Sequence, residues 1–131
     1  MLRNNVKPRA LISSLWVLVL FNMILRDLHE FPTEGYIEEM IALKLPEGEM
    51  LFYAFLVEIP IAMIVLSRIL KTKTNKWANI FAITVSSLGI LYTLPGHMDE
   101  IFFATVNTIA FIVIIGIVWK LPTRNKNHQL Q

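Results

Sequence analysis

Residues 101–121 read IFFATVNTIAFIVIIGIVWKL, and that stretch decides the fold. It is a run of apolar side chains whose one charge, Lys120, comes at its end. A helix needs roughly 20 such residues to cross a hydrocarbon core of about 30 Å. Three more blocks of similar character precede it, at about 10–28, 50–70 and 77–94. None shows the sustained apolar/polar alternation of a membrane strand. A helix satisfies its own backbone hydrogen bonds, as an apolar solvent demands. The expected fold is therefore all-α: one integral membrane domain over residues 1–131, built as a four-helix transmembrane bundle.

Composition agrees. Hydrophobic residues make up 55% of the 131 residues and charged residues only 17%. Soluble domains carry about 25% charged residues. A soluble enzyme, a secreted domain and a nucleic-acid binder are excluded on this ground, despite a pI near 9.0. The first block follows Arg3, Lys7 and Arg9 as a signal peptide would. No small-x-small cleavage site comes after it, so it reads as an uncleaved span. Cysteine is absent, which removes disulfides, thiolate metal sites and paired-cysteine electron relays. No Gly-rich phosphate loop or nucleophile elbow occurs, and no motif implies a cofactor or assigns a metal.

The basic residues set the topology. Arg3, Lys7, Arg9, Arg68, Lys71, Lys73, Lys76, Lys120, Arg124 and Lys126 are ten of the twelve Lys and Arg, and they cluster at the termini and the second connection. Every Asp and Glu falls toward the opposite side. By the positive-inside rule both termini lie in the cytoplasm of a bacterial inner-membrane protein. Trp16, Trp77 and Trp119 then sit near the cytoplasmic interface. The first external connection is the long one. Thr33 is placed to cap a short amphipathic helix from Glu34 to about Leu45, before a Pro46-Glu47-Gly48 turn.

Polar residues inside the spans mark the candidate interior. Asn22, Arg26 and Glu30 share one face of the first helix. Glu58 lies on a stripe with Ala54 and Ala62, and Asn79, Ala82, Ser86 and Gly89 form another. Glu100, Ala104 and Asn107 line up on the last helix. At about 1.5 Å rise per residue, Asn22, Glu58 and Asn107 all fall roughly 12 Å below the external boundary. An ionised carboxylate there needs a partner, water or a proton, and Arg26 is the expected partner of Glu58. Two readings stay open: a structural lock of Asn22, Arg26, Glu58 and Asn107, or an outward-facing chamber in which Glu58 receives a protonatable or cationic small molecule. A second group, His29, Glu30, His97, Asp99 and Glu100, gathers at the outer rim as acid/base or metal candidates. No specific ligand spacing accompanies it, and Asp99 and Glu100 also suit the first turn of any helix.

The pattern Asn22-Met23-x-x-Arg26-Asp27-x-His29-Glu30-Phe31, then Glu58-Ile59-Pro60-x-Ala62-Met63 running to Leu66-Ser67-Arg68, then Asn75-x-Trp77-Ala78-Asn79-Ile80 and Asp99-Glu100-Ile101-Phe102-Phe103, resembles an uncharacterised family. Its members are small bacterial four-pass membrane proteins carrying a domain of unknown function. The resemblance covers Leu15 to Pro122 and implies a compact four-helix inner-membrane protein. It implies no activity and no catalytic residue. Size and layout also resemble DoxX-like proteins at the level of fold alone.

The functional expectation is a multi-pass membrane protein that binds or moves a small cation. A membrane-embedded enzyme acting on a lipid or quinone at the rim is the first alternative, and an accessory subunit without chemistry the second. The expected partners are the lipid bilayer, a small-molecule ligand and further copies of the chain, since four spans rarely enclose a full path alone. No nucleic acid is expected.

Overall fold

The computed structural model describes residues 7–93 and 96–122. Arg3, Arg124 and Lys126 of the basic end, and the expected span end at residue 94, lie outside them. The described residues form five helices and no strand: α1 (Pro8–His29), α2 (Tyr36–Ala42), α3 (Glu47–Ile69), α4 (Thr72–Tyr92) and α5 (Met98–Trp119). The four long ones form a ring, with α1 against α3 and α5, and α4 against the same two. Only Leu70 and Lys71 join α3 to α4, so these neighbours run antiparallel.

Each long helix buries one narrow stripe. On α1 it is Ile12, Ser13, Trp16 and Val19; on α3 it is Leu56, Pro60, Met63 and Ser67. The α5 stripe runs through Asn107, Ala110, Phe111, Ile114 and Val118. These spacings of three and four follow the 3.6-residue turn. The opposite faces are just as apolar: Phe21, Leu25, Phe55, Val65, Phe81, Phe102 and Ile112 are all more than half exposed. Apolar exposure on this scale marks a surface built for lipid.

Three helices, α1, α3 and α5, are long and apolar enough to cross a membrane. The fourth expected span does not meet that standard. Its helix starts at Thr72, five residues earlier than expected, and carries Lys73, Asn75, Lys76, Asn79 and Ser86. The polarity has a structural use. Asn75 and Asn79 are buried and hydrogen-bonded. Trp16 Nε1 donates to Asn79 Oδ1 at 2.8 Å across the bundle, between the two helices that do not pack side by side. Asn79 Nδ2 donates in turn to Asn75 Oδ1 at 2.7 Å, and Asn75 Nδ2 to the Ser67 carbonyl at 2.9 Å. Trp16 is thus a core residue, fully buried against Phe111, and not the interfacial residue expected from its place in the sequence. Trp77 and Trp119 are exposed, and Lys76 lies over the Trp119 ring.

The basic end is tied by its own charges. Arg9 donates to the carbonyl of Leu70, and Arg68 Nε to Ser13 Oγ, which itself donates to the Ile64 carbonyl. The Arg9 bond satisfies the orphan carbonyl at the C-cap of α3, and the other two tie α1 to α3. The other end departs from expectation in two places. Thr33 does not cap α2; Gly35 does, at φ 85°, a left-handed conformation that glycine adopts without strain. The Pro46-Glu47-Gly48 turn is absorbed into α3, with Pro46 as its N-cap and Glu47 and Glu49 in its first turn, where the helix dipole favours them.

Replacing Asn79 by Leu leaves the Trp16 indole N–H and the Asn75 amide oxygen unpaired in the core. The expected loss is about 1–3 kcal/mol of stability, read as a lower unfolding temperature in detergent. Thr84→Val, on the exposed face of the same helix, should leave that temperature nearly unchanged.

Candidate functional site: an acidic cup

At the end of the bundle away from Arg9 and Arg68, α1, α2 and α5 enclose a cavity of about 440 Å³. Three short-range features build it. α1 runs out at His29, and the chain turns through Glu30 and Thr33, whose backbone N–H bonds the Glu30 carbonyl. Gly35 then reverses it, so that Tyr36 packs edge-on against Phe31 and reaches the cup wall. α5 starts from His97 and brings Asp99 and Glu100 in its first turn.

The lining is strongly acidic. Glu30, Glu34, Glu39, Asp99 and Glu100 supply carboxylates, His29 and His97 supply imidazoles, and no Lys or Arg among the described residues lines the cavity. His29 is held at both ring nitrogens: Nδ1 lies 2.6 Å from the Arg26 carbonyl and Nε2 lies 2.5 Å from Asp99 Oδ2. A carbonyl only accepts, so Nδ1 carries a hydrogen and Nε2 is the nitrogen turned into the cup. The ring also lies tilted over Phe103. The Tyr36 phenol has its pKa raised, first by burial and then by the charge of Glu30. It therefore stays a donor through the neutral range.

Glu100 is the unusual member. It is only 5% exposed. Its one hydrogen bond among the described residues is a long one, 3.4 Å, from the His97 backbone N–H to Oε2. The ion pairs among the described residues are Arg26–Asp27 and His29–Asp99, so no cation of the chain reaches it there. A buried carboxylate without a counter-charge is costly.

The residues expected at mid-depth do not form one group. Asn22 and Asn107 do meet: Asn22 Nδ2 donates to Asn107 Oδ1 at 2.9 Å and to the Phe103 carbonyl at 2.8 Å. That pair joins α1 to α5. Arg26 pairs with Asp27 at 3.4 Å and donates to Thr93 Oγ1 at 3.2 Å, so it ties α1 to the end of α4. Its expected partner Glu58 is elsewhere. Glu58 sits two residues from both Leu56 and Pro60 on the α3 stripe, about 200° around the helix, and is exposed on the outward face. The Arg26–Glu58 pair and a chamber around Glu58 are thus absent from the arrangement.

The rim group is brought together more closely than its loose spacing suggested. Donor atoms of His29, Glu30 and Asp99 lie within 4.8 Å of one another, with His97 and Glu100 on the same cavity. Glu34, Tyr36 and Glu39 were not expected there. The signal for them was Gly35, a residue suited to the left-handed turn that starts α2.

A family model described as a family of unknown function, DUF6326, matches residues 2–126. Neither the curated proteins nor the solved structures provide a match. The match spans nearly the whole chain, α1 through α5, and the chain therefore belongs to the family of unknown function DUF6326.

Proposed function

We propose that this is a four-span inner-membrane protein that binds a cationic small molecule in the acidic cup on the outer face. The observation that carries this reading is the cup's charge: five carboxylates, one of them buried without a counter-ion among the described residues, and no Lys or Arg among the described residues that line it. Such a lining concentrates cations and holds them once water is displaced. Its volume falls in the range of small-molecule sites, about 300–1,000 Å³. The four-span reading takes α4 as a span whose polar groups are spent inside the bundle. At 21 residues it nearly matches its neighbours in length, and it packs between α3 and α5. Orientation follows from the basic residues at the far end.

The chain has no cysteine, so single-cysteine variants report cleanly. On intact cells, an impermeant maleimide should label Thr33→Cys at the cup and spare Lys71→Cys until the cells are opened. Tetramethylammonium or spermidine should protect Thr33→Cys in a concentration-dependent way. Labelling of both positions from one side would refute the topology. Absence of protection by either cation would refute the binding reading.

Glu58 adds an assembly to the proposal. A carboxylate facing hydrocarbon costs a few kcal/mol or more, and a second copy against the outward face of α3 would remove it from lipid. The solubilised particle should then weigh a multiple of 15.1 kDa by native mass spectrometry, and Glu58→Lys should dissociate it. A monomer in mild detergent and in lipid nanodiscs would contradict the assembly.

A further inference from the structure

We infer that the floor of the cup is a divalent transition-metal site, with His29 Nε2 and the carboxylates of Glu30 and Asp99 as its protein ligands. The inference rests on the cation-binding reading and narrows the cation to a metal ion.

Three independent features lead there. The first is convergence. One nitrogen and two carboxylate oxygens, from the end of α1 and the start of α5, lie within 4.8 Å of one another. Bonds of about 2.0–2.2 Å to a common ion require the donors somewhat closer. The His29 and Asp99 side chains are 36% and 43% exposed and free to close that gap by rotation.

The second is the setting of the imidazole. Metal-bound histidines donate their other ring N–H to a backbone carbonyl or a carboxylate, which fixes the tautomer and aims the lone pair. His29 has this outer contact already: Nδ1 faces the Arg26 carbonyl at 2.6 Å. Because that carbonyl belongs to the same helix turn, the ring is aimed by α1 itself. The contact is distinct from the acidic cluster, and it leaves Nε2, now 2.5 Å from Asp99 Oδ2, as the nitrogen that a metal would take in place of a proton.

The third is Glu100. It is 95% buried, lines the same cavity and has no cationic partner among the described residues. It stands beside the three ligands as an uncompensated charge that a dication in the cup would balance.

The donor set chooses among ions. An imidazole with two carboxylates suits Zn²⁺, Mn²⁺, Co²⁺ or Ni²⁺, whereas Ca²⁺ and Mg²⁺ prefer all-oxygen sites with more ligands. Three protein ligands leave coordination positions open toward the cavity, as in metal centres that receive a water or a substrate.

The test uses purified full-length protein in mild detergent, titrated with Co²⁺ and followed by visible absorption, with native mass spectrometry for stoichiometry. The expected result is one Co²⁺ per chain, with an affinity at least tenfold weaker in His29→Gln and in Asp99→Asn. Thr84→Val, on the exposed face of α4 far from the cup, should keep wild-type affinity. If a ligand variant fails to fold, the wild type still decides: Zn²⁺ should displace Co²⁺, and millimolar Ca²⁺ should not. No Co²⁺ binding, with Thr33→Cys still protected by tetramethylammonium, overturns the metal site and leaves the cation reading standing. Loss of both overturns both. Wild-type affinity in both His29→Gln and Asp99→Asn, or displacement by Ca²⁺, overturns the ligand assignment.

Discussion

A single hydrogen bond, from the Trp16 indole to the Asn79 amide oxygen, spans the centre of this bundle, and much of the packing depends on it. α1 and α4 sit on opposite corners and do not pack side by side. In an apolar solvent there is no hydrophobic force to press helices together, so close packing and internal hydrogen bonds must do it. The indole crosses the core, meets Asn79, and Asn79 passes the chain on to Asn75 and the Ser67 carbonyl. Three helices, α1, α3 and α4, are locked by one connected set of polar groups. The same constraint explains why α4 is less apolar than its neighbours. Its asparagines are spent inside, and its exposed face, Trp77, Phe81, Leu88 and Leu91, remains apolar.

The two ends of the bundle use charge differently. At the basic end, Arg9 and Arg68 close on helix-terminal carbonyls and a serine, and the cations are consumed by the fold. At the acidic end the carboxylates are mostly not consumed. His29 takes one contact with Asp99, while Glu100 holds only its own N-cap. The first turn of α5 favours negative charge by its dipole, which helps explain Asp99 and Glu100 individually. It does not explain three further glutamates from α2 and its approach converging on the same space. The excess charge is the property on which the proposed function of this end rests.

Much of the fold was legible in the sequence, because long apolar runs reveal membrane-type helices directly. Helix phase was less so. Glu58 was expected inside because burying a carboxylate in lipid is costly, yet the buried stripe of α3 is Leu56, Pro60, Met63 and Ser67. Both faces of such a helix are apolar, so periodicity does not reveal which one is core. Trp16 misled for the same reason: its place near a span end suits the interface, and only the position of Asn79 two helices away shows that it is core. Asn22 and Asn107 were legible as groups at one depth on polar stripes, but their direct bond was not. The rim histidines and acids were legible as a set because they end one helix and begin another. The part of the cup built by Glu34, Tyr36 and Glu39 was not, since it depends on the left-handed turn at Gly35 rather than on any spacing of like residues.

The central claim is that the cup holds uncompensated negative charge that a cation neutralises, and the unfolding temperature of Glu100→Gln tests it most directly. The glutamine can still accept the His97 N–H but carries no charge. Relative to wild type without added cation, the variant should unfold at a higher temperature. Zn²⁺ should raise the wild-type temperature, since a ligand that binds only the folded state stabilises it, and should raise that of the variant less. A variant less stable than wild type, with an undiminished response to Zn²⁺, would contradict the claim.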